Sequence, residues 1–287
     1  MDGTDPYHLR VPEGPRGCVV FNSPHSGAEY PERFLRESQL DPLTLRSSED
    51  AFVDELFAAA PSYGAPLLSA RAPRAFVDLN RAETELDPAA VQVPRRGGLN
   101  PRLAAGLGVI PRVVSEGRMI RAGKISLREA NARLAAVYRP YHTRLAALLA
   151  EAKAQHGHAI LFDCHSMPRD ALRGHLTGRG RRPEIVLGDR FGSACAPHLM
   201  SRVVAAFEAE GFIVACNAPF AGGFITQSYG QPATGVHAVQ IEIDRSLYMN
   251  ERRIQKTFDF SVLQKRLSRV IADLAAANAG EYPVAAE

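Results

Sequence analysis

The residues in this sequence that could do chemistry gather where apolar runs break off. Ala159–Pro168 reads A-I-L-F-D-C-H-S-M-P, a short buried-strand pattern that delivers His165. Cys18–Phe21 runs likewise into N-S-P-H-S-G and delivers His25. Ala75–Arg81 (A-F-V-D-L-N-R) ends on Asn80 and Arg81, an amide beside a guanidinium fork, which together suit a carboxylate. Glu242 interrupts the apolar strand pattern V-H-A-V-Q-I-E-I, where a carboxylate is costly unless it is paired or bound to something. Asp50 opens the helical pattern D-A-F-V-D-E-L-F-A-A-A. Each has an ordinary explanation by itself: a hydrogen-bonded structural histidine, a surface ion pair, a carboxylate set against a helix dipole. Together, two imidazoles and a carboxylate can hold zinc with a fourth position open, a second carboxylate can handle protons, and an arginine can anchor an anion. That is the equipment of a mononuclear zinc amidohydrolase.

Ligands of an open α/β sheet gather outside the carboxyl ends of its strands, so these residues need strands to deliver them and helices to cover the sheet. Strand patterns at 18–21, 75–81, 159–162, 184–187, 212–216 and 236–243 alternate with helical ones at 50–60, 126–155 and 195–210, and a last helix begins at Ser261. The Ser126–Gln155 segment opens with the capping box S-L-R-E and carries one apolar stripe, which Pro140 should kink or divide. The strand at 184–187 ends in G-D-R, Gly188–Arg190. Val91–Lys124 fades into Pro, Gly and Arg, including Arg95, Arg96 and Arg102, and reads as an active-site flap. Asn217–Gly230, rich in Gly and aromatics, reads as a loop closing over a small ligand. The fold class expected is a single α/β domain with a mixed or mainly parallel sheet and helical cover.

Composition removes other classes. The 287 residues carry 34 basic and 31 acidic side chains, a net charge of +3 that leaves no nucleic-acid footprint. Cys18, Cys164, Cys195 and Cys216 are far apart and form no disulfide framework or C-x-x-C pair. With no leader pattern and no apolar run long enough for a membrane span, the expected location is the cytoplasm.

An ordered series of motifs resembles the N-formylglutamate amidohydrolase family over nearly the whole chain: P-H-S-G at 24–27, E-D-A-F-V-D-E-L at 49–56, R-A-F-V-D-L-N-R at 74–81, R-P-Y-H at 139–142, D-C-H-S-M-P at 163–168, A-G-G-F-I-T at 221–226 and Q-I-E-I-D-R-S-L-Y-M at 240–249. The resemblance implies one domain over residues 1–287 with a mixed central sheet, similar to the zinc carboxypeptidases and aspartoacylases. It implies one zinc ion held by His25, His165 and Asp50, with Glu29 and Asp54 as the other candidates for the acidic ligand. Glu242 is then the catalytic proton shuttle, and Asn80, Arg81, Gly223 and Thr226 bind substrate. The implied reaction is hydrolysis of N-formyl-L-glutamate to formate and L-glutamate, a late step in histidine degradation. Alternatives are a zinc deacylase for another N-acyl amino acid, a peptidase of related fold and a catalytically silent binding protein. The expected partner is a small N-acyl amino acid, with no nucleic acid or membrane, and the protein is expected as a monomer or small homo-oligomer.

Overall fold

A computed structural model of the protein describes residues 5–94, 101–178 and 180–276. Its centre is a sheet of β1 (Tyr7–Arg10), β2 (Val19–Ser23), β3 (Leu67–Ala70), β4 (Ala159–Met167), β5 (Ile185–Gly188), β6 (Val214–Cys216) and β7 (Val236–Asp244), in the order β1-β3-β2-β4-β7-β5-β6. The strands β3, β2, β4 and β7 are parallel, β1 is antiparallel to β3, and β5 and β6 run together antiparallel to β7. The sheet is therefore mixed, with helices on both faces.

Alternation along the two long central strands sorts side chains to those faces. Ile160, Phe162 and Cys164 of β4 join Val239, Ile241 and Ile243 of β7 in a core covered by the Pro197–Ala209 and Phe260–Ala275 helices. Ala159, Leu161 and Ala238 face the other way, against Tyr141, Leu145 and Leu148 of the Arg139–His156 helix. Continuing on this second face toward the carboxyl ends, the apolar residues give way to Asn22, Asp163, His165, Gln240 and Glu242. Strand register lines them up across the sheet: Asn22 lies opposite Asp163, Asp163 opposite Gln240, and His165 opposite Glu242.

The long segment expected to kink at Pro140 is divided just before it. Leu127–Arg133 is α-helical, Leu134–Tyr138 forms a π-helical turn, and α-helix resumes at Arg139. Proline at the second position of the resumed helix has no amide hydrogen to contribute, and the wider turn accommodates it. Ser126 caps the segment as its pattern predicts, accepting the Glu129 amide hydrogen.

Other expectations fail for local reasons. Ala75–Arg81 is not a strand: it is a loop whose carboxylate, Asp78, accepts the Asn80 amide hydrogen at 2.9 Å, a local bond that competes with strand pairing. The helix expected from Asp50 shrinks to Val53–Leu56, because Phe52 ahead of it is left-handed at φ 68°. Asn217–Gly230 is not all loop, since Phe224–Tyr229 is helical. Ser261 caps nothing, the last helix having begun at Phe260.

Candidate active centre

The sheet and two loops bring the two histidines and Asp50 together. His25 follows β2, and its carbonyl accepts the Asp50 amide hydrogen at 3.0 Å, which fixes the two loops to one another. Oδ2 of Asp50 then lies 3.4 Å from Nδ1 of His25 and 2.9 Å from Nδ1 of His165. One ligand atom from each of the three residues falls within 4.8 Å of the others, and all three side chains are buried. Glu29 and Asp54, the other carboxylates left open by the sequence, are not in this group; Glu29 sits at the surface on Arg71 and His8.

What the remaining atoms do makes the group suited to a cation. The far nitrogen of His25, Nε2, is 2.7 Å from Asp78 Oδ1, and that of His165 is 3.0 Å from Asp163 Oδ2 and 3.2 Å from the Asn80 amide. A carboxylate behind an imidazole fixes its tautomer and orientation and raises its basicity toward a metal. His25 Nδ1 is buried without a hydrogen-bond partner among the described residues, and it is turned toward Asp50 Oδ2. The other Asp50 oxygen accepts from Arg245 Nη2 at 2.9 Å. Two convergent ring nitrogens, one carboxylate oxygen and carboxylates behind both rings fit a divalent cation.

Charge in this buried space is strongly redistributed. Burial by itself would raise the Asp50 carboxyl, but the hydrogen bond from His165 and the His25 ring close by outweigh it and hold the group well below the usual carboxylate range. Burial would likewise raise Asp78, and Arg74, His25 and Arg81 pull it well below. His165 is lifted well above the usual imidazole range, against burial, by Asp163 and Asp50. Glu242 moves the other way. Burial, reinforced by the charge of Asp50, overcomes the attraction of His165, Arg245 and Arg74 and pushes its carboxyl up to about 7. Its Oε1 accepts from Gln240 Nε2 at 2.8 Å, while Gln240 Oε1 accepts the Gly223 amide hydrogen at 2.7 Å.

A cavity of about 770 Å³ opens over the group, and Arg74, Arg81, Arg102, Arg190 and Arg245 all reach its wall. Part of the expected flap is there too, since Leu107, Pro111 and Val113–Gly117 line the cavity; Arg95 and Arg96 lie outside the described residues. Asn80 and Arg81 line it as well. Oδ1 of the Asn80 amide accepts the Ile225 amide hydrogen, and its Nδ2 packs 3.2 Å from His165 Nε2, so the side chain holds the helix at Phe224 beside the histidine. Arg81 is braced by the carbonyls of Leu107 and Asn80 through Nε and Nη1, which leaves Nη2. Gly223 is required by proximity: a Cβ there would lie 2.4 Å from Asn80 Nδ2. Thr226 is fully buried beneath Gly222, outside the cavity wall, and its Oγ1 has no hydrogen-bond partner among the described residues.

The sequence reading missed Asp163, Arg74, Gln240 and Arg245. Asp163 and Gln240 carried a usable signal, each lying two residues before a chemically active residue on the same strand and so on the same face. Arg245, beyond the end of β7, carried none.

An open mixed α/β sheet with imidazoles and carboxylates at the carboxyl ends of its parallel strands is the plan of a hydrolytic enzyme. The comparisons narrow that class: the chain belongs to the N-formylglutamate amidohydrolase family, whose model matches residues 17–249. It is 36% identical over 239 residues to an N-formylglutamate deformylase of Pseudomonas aeruginosa, covering 82% of this chain and 83% of that one. A deformylase of the same name from Pseudomonas putida is 30% identical over 81% of this chain and 82% of its own. Among solved structures, an N-formylglutamate amidohydrolase from Ralstonia eutropha JMP134 superposes with a TM-score of 0.88 at 34% identity, covering 95% of this chain and 98% of that one.

Proposed function

We propose that the protein is a zinc-dependent deformylase that hydrolyses N-formyl-L-glutamate to formate and L-glutamate, serving the degradation of histidine. The observation that carries this reading is the convergence of His25 Nδ1, His165 Nδ1 and Asp50 Oδ2 under an arginine-lined cavity, with a near-neutral carboxyl beside them. The family and the names of its relatives supply the substrate.

His25, His165 and Asp50 would hold the metal. A zinc ion in such a site supplies Lewis acidity, polarising an amide carbonyl and making water acidic enough to lose a proton near neutral pH. Asp78 and Asp163 keep the two rings turned so that each presents Nδ1. Glu242, neighbour of His165 in the sheet, takes the proton from the attacking water and delivers it to the amide nitrogen as the C–N bond breaks. Burial raises that carboxyl above the usual carboxylate range, which favours its return of the proton to the leaving nitrogen. Arg81, rigidly braced, offers its free Nη2 to a substrate carboxylate.

The test begins with the metal. His25→Ala and His165→Ala proteins should fold, because each change lies at the polar end of a large apolar sheet core, and should lose stoichiometric zinc as measured by metal analysis. Full zinc content in both purified variants would overturn the ligand assignment. Wild-type protein with zinc bound should release formate from N-formyl-L-glutamate.

A further inference from the structure

The loop after β5 is held in a costly shape. Arg190, Phe191 and Gly192 have φ of 55°, 57° and 84°, three successive left-handed residues of which two carry bulky side chains. Asn217, itself left-handed at φ 59°, locks the loop from the β6 side. Its Oδ1 accepts the amide hydrogens of Asp189 at 3.1 Å and Phe191 at 3.3 Å, and its Nδ2 donates to Asp189 Oδ1 at 2.8 Å. The Arg190 amide hydrogen is bound by the Ala221 carbonyl at 2.7 Å. The arginine side chain then runs over Gly222, where a Cβ would come within 3.0 Å of Arg190 Cγ.

All this fixes a guanidinium in the wall of the catalytic cavity. Arg74 and Arg245 in the same wall pair with Asp78 and Asp50. Arg190 has no ion pair among the described residues; its guanidinium makes one bond, from Nη1 to the Gly222 carbonyl at 3.4 Å, while the neighbouring Asp189 carboxylate is held by Asn217. A cation held at conformational expense in a cavity and left without an anion is a receptor for one. Asn80 touches the next residue of the same glycine pair, Gly223, so the Arg190 and Asn80–Arg81 positions flank one short stretch of backbone. A substrate with one carboxylate satisfies one of them. A dicarboxylic substrate satisfies both.

We propose that Arg190 binds the side-chain carboxylate of an N-acyl dicarboxylic amino acid and thereby sets the preference for acidic over neutral amino acids. The inference deepens the deformylase reading and rests on it for the acyl group alone. Kinetics of wild type, Arg190→Met and Arg190→Lys on N-formyl-L-glutamate and on its neutral near-isostere N-formyl-L-glutamine test it. Arg190→Met should lower kcat/KM on the glutamate compound by roughly tenfold to a hundredfold, mostly through KM, as expected for losing a charge-assisted hydrogen bond. It should cost several-fold less on the glutamine compound, whose amide oxygen offers the guanidinium only a neutral acceptor, and Arg190→Lys should fall between. Equal losses on both compounds would overturn the proposal. Calorimetric binding of L-glutamate and L-glutamine to the same proteins needs no turnover. If neither formyl compound is hydrolysed, the deformylase reading fails, and Arg190 is judged by binding: a wild-type preference for glutamate that vanishes in Arg190→Met upholds its role. Equal binding of the two by wild type rejects it.

Discussion

Glu242 shows how a single residue acquires a role from its surroundings. On an exposed strand it would be a fully charged carboxylate; burial under the sheet's polar end, with Asp50 beside it, pushes its carboxyl up. Glu242→Gln keeps the shape and the hydrogen bond from Gln240 but cannot accept a proton. It should retain bound zinc and lose about 10²- to 10⁴-fold in turnover, the usual worth of general acid–base catalysis. Near-normal turnover would reject the role, and lost zinc would make Glu242 a ligand. At this scale much of the centre was legible, because His25, His165 and Glu242 stand out as polar residues at the ends of apolar runs. Thr226 was placed by a motif match, which says that a residue matters and not which way it faces. Arg245 was illegible, since its partner Asp50 lies 195 residues earlier.

Among the elements, the Arg139–His156 helix does more than cover the sheet. Tyr141 donates to Asn22, which in turn donates to Asp163 behind His165; Tyr138 donates to the Arg81 carbonyl. His142 is wedged between the Tyr229 hydroxyl and the Leu79 carbonyl at 2.9 and 3.0 Å, and so steadies the loop that carries Asn80. Burial pushes His142 down to about 4, against the opposing pull of the Leu79 carbonyl. Its folded pKa thus lies below the unfolded value of about 6.5, so the unfolded chain binds the proton first. The stability it contributes is full above about 6.5 and is lost as pH falls toward about 4. Denaturant titrations across this window should show His142→Asn losing stability less steeply with falling pH than wild type, by up to one proton; an unchanged slope would place the ring in solvent. The long helix and the two central strands were readable because their periodicity is sustained. The 75–81 loop was not, because Asp78 bonds its own neighbour's backbone and overrides an apolar pattern only a few residues long.

Across the whole molecule the net charge of +3 is small, yet five arginines line one cavity; Arg74 and Arg245 are paired there with Asp78 and Asp50, and Arg81, Arg102 and Arg190 have no ion pair among the described residues. Among the described residues, no helix is long and apolar enough to cross a membrane. Concentrating positive charge in a cleft accelerates the arrival of anions and makes that arrival sensitive to salt. For the proposed reaction, kcat/KM on the dianion N-formyl-L-glutamate should fall as ionic strength rises, and fall less for the monoanion N-formyl-L-glutamine; matching salt dependences would show that the arginines act only at contact range. The three unpaired arginines also treat product differently from substrate. In the proposed reaction an uncharged amide nitrogen becomes an ammonium, so the amino acid that leaves carries a cation the substrate lacked, in a cavity that holds three unpaired guanidinium groups. Glutarate, with both carboxylates and no ammonium, should accordingly inhibit more strongly than L-glutamate; equal inhibition would show that the arginines do not sense the new charge.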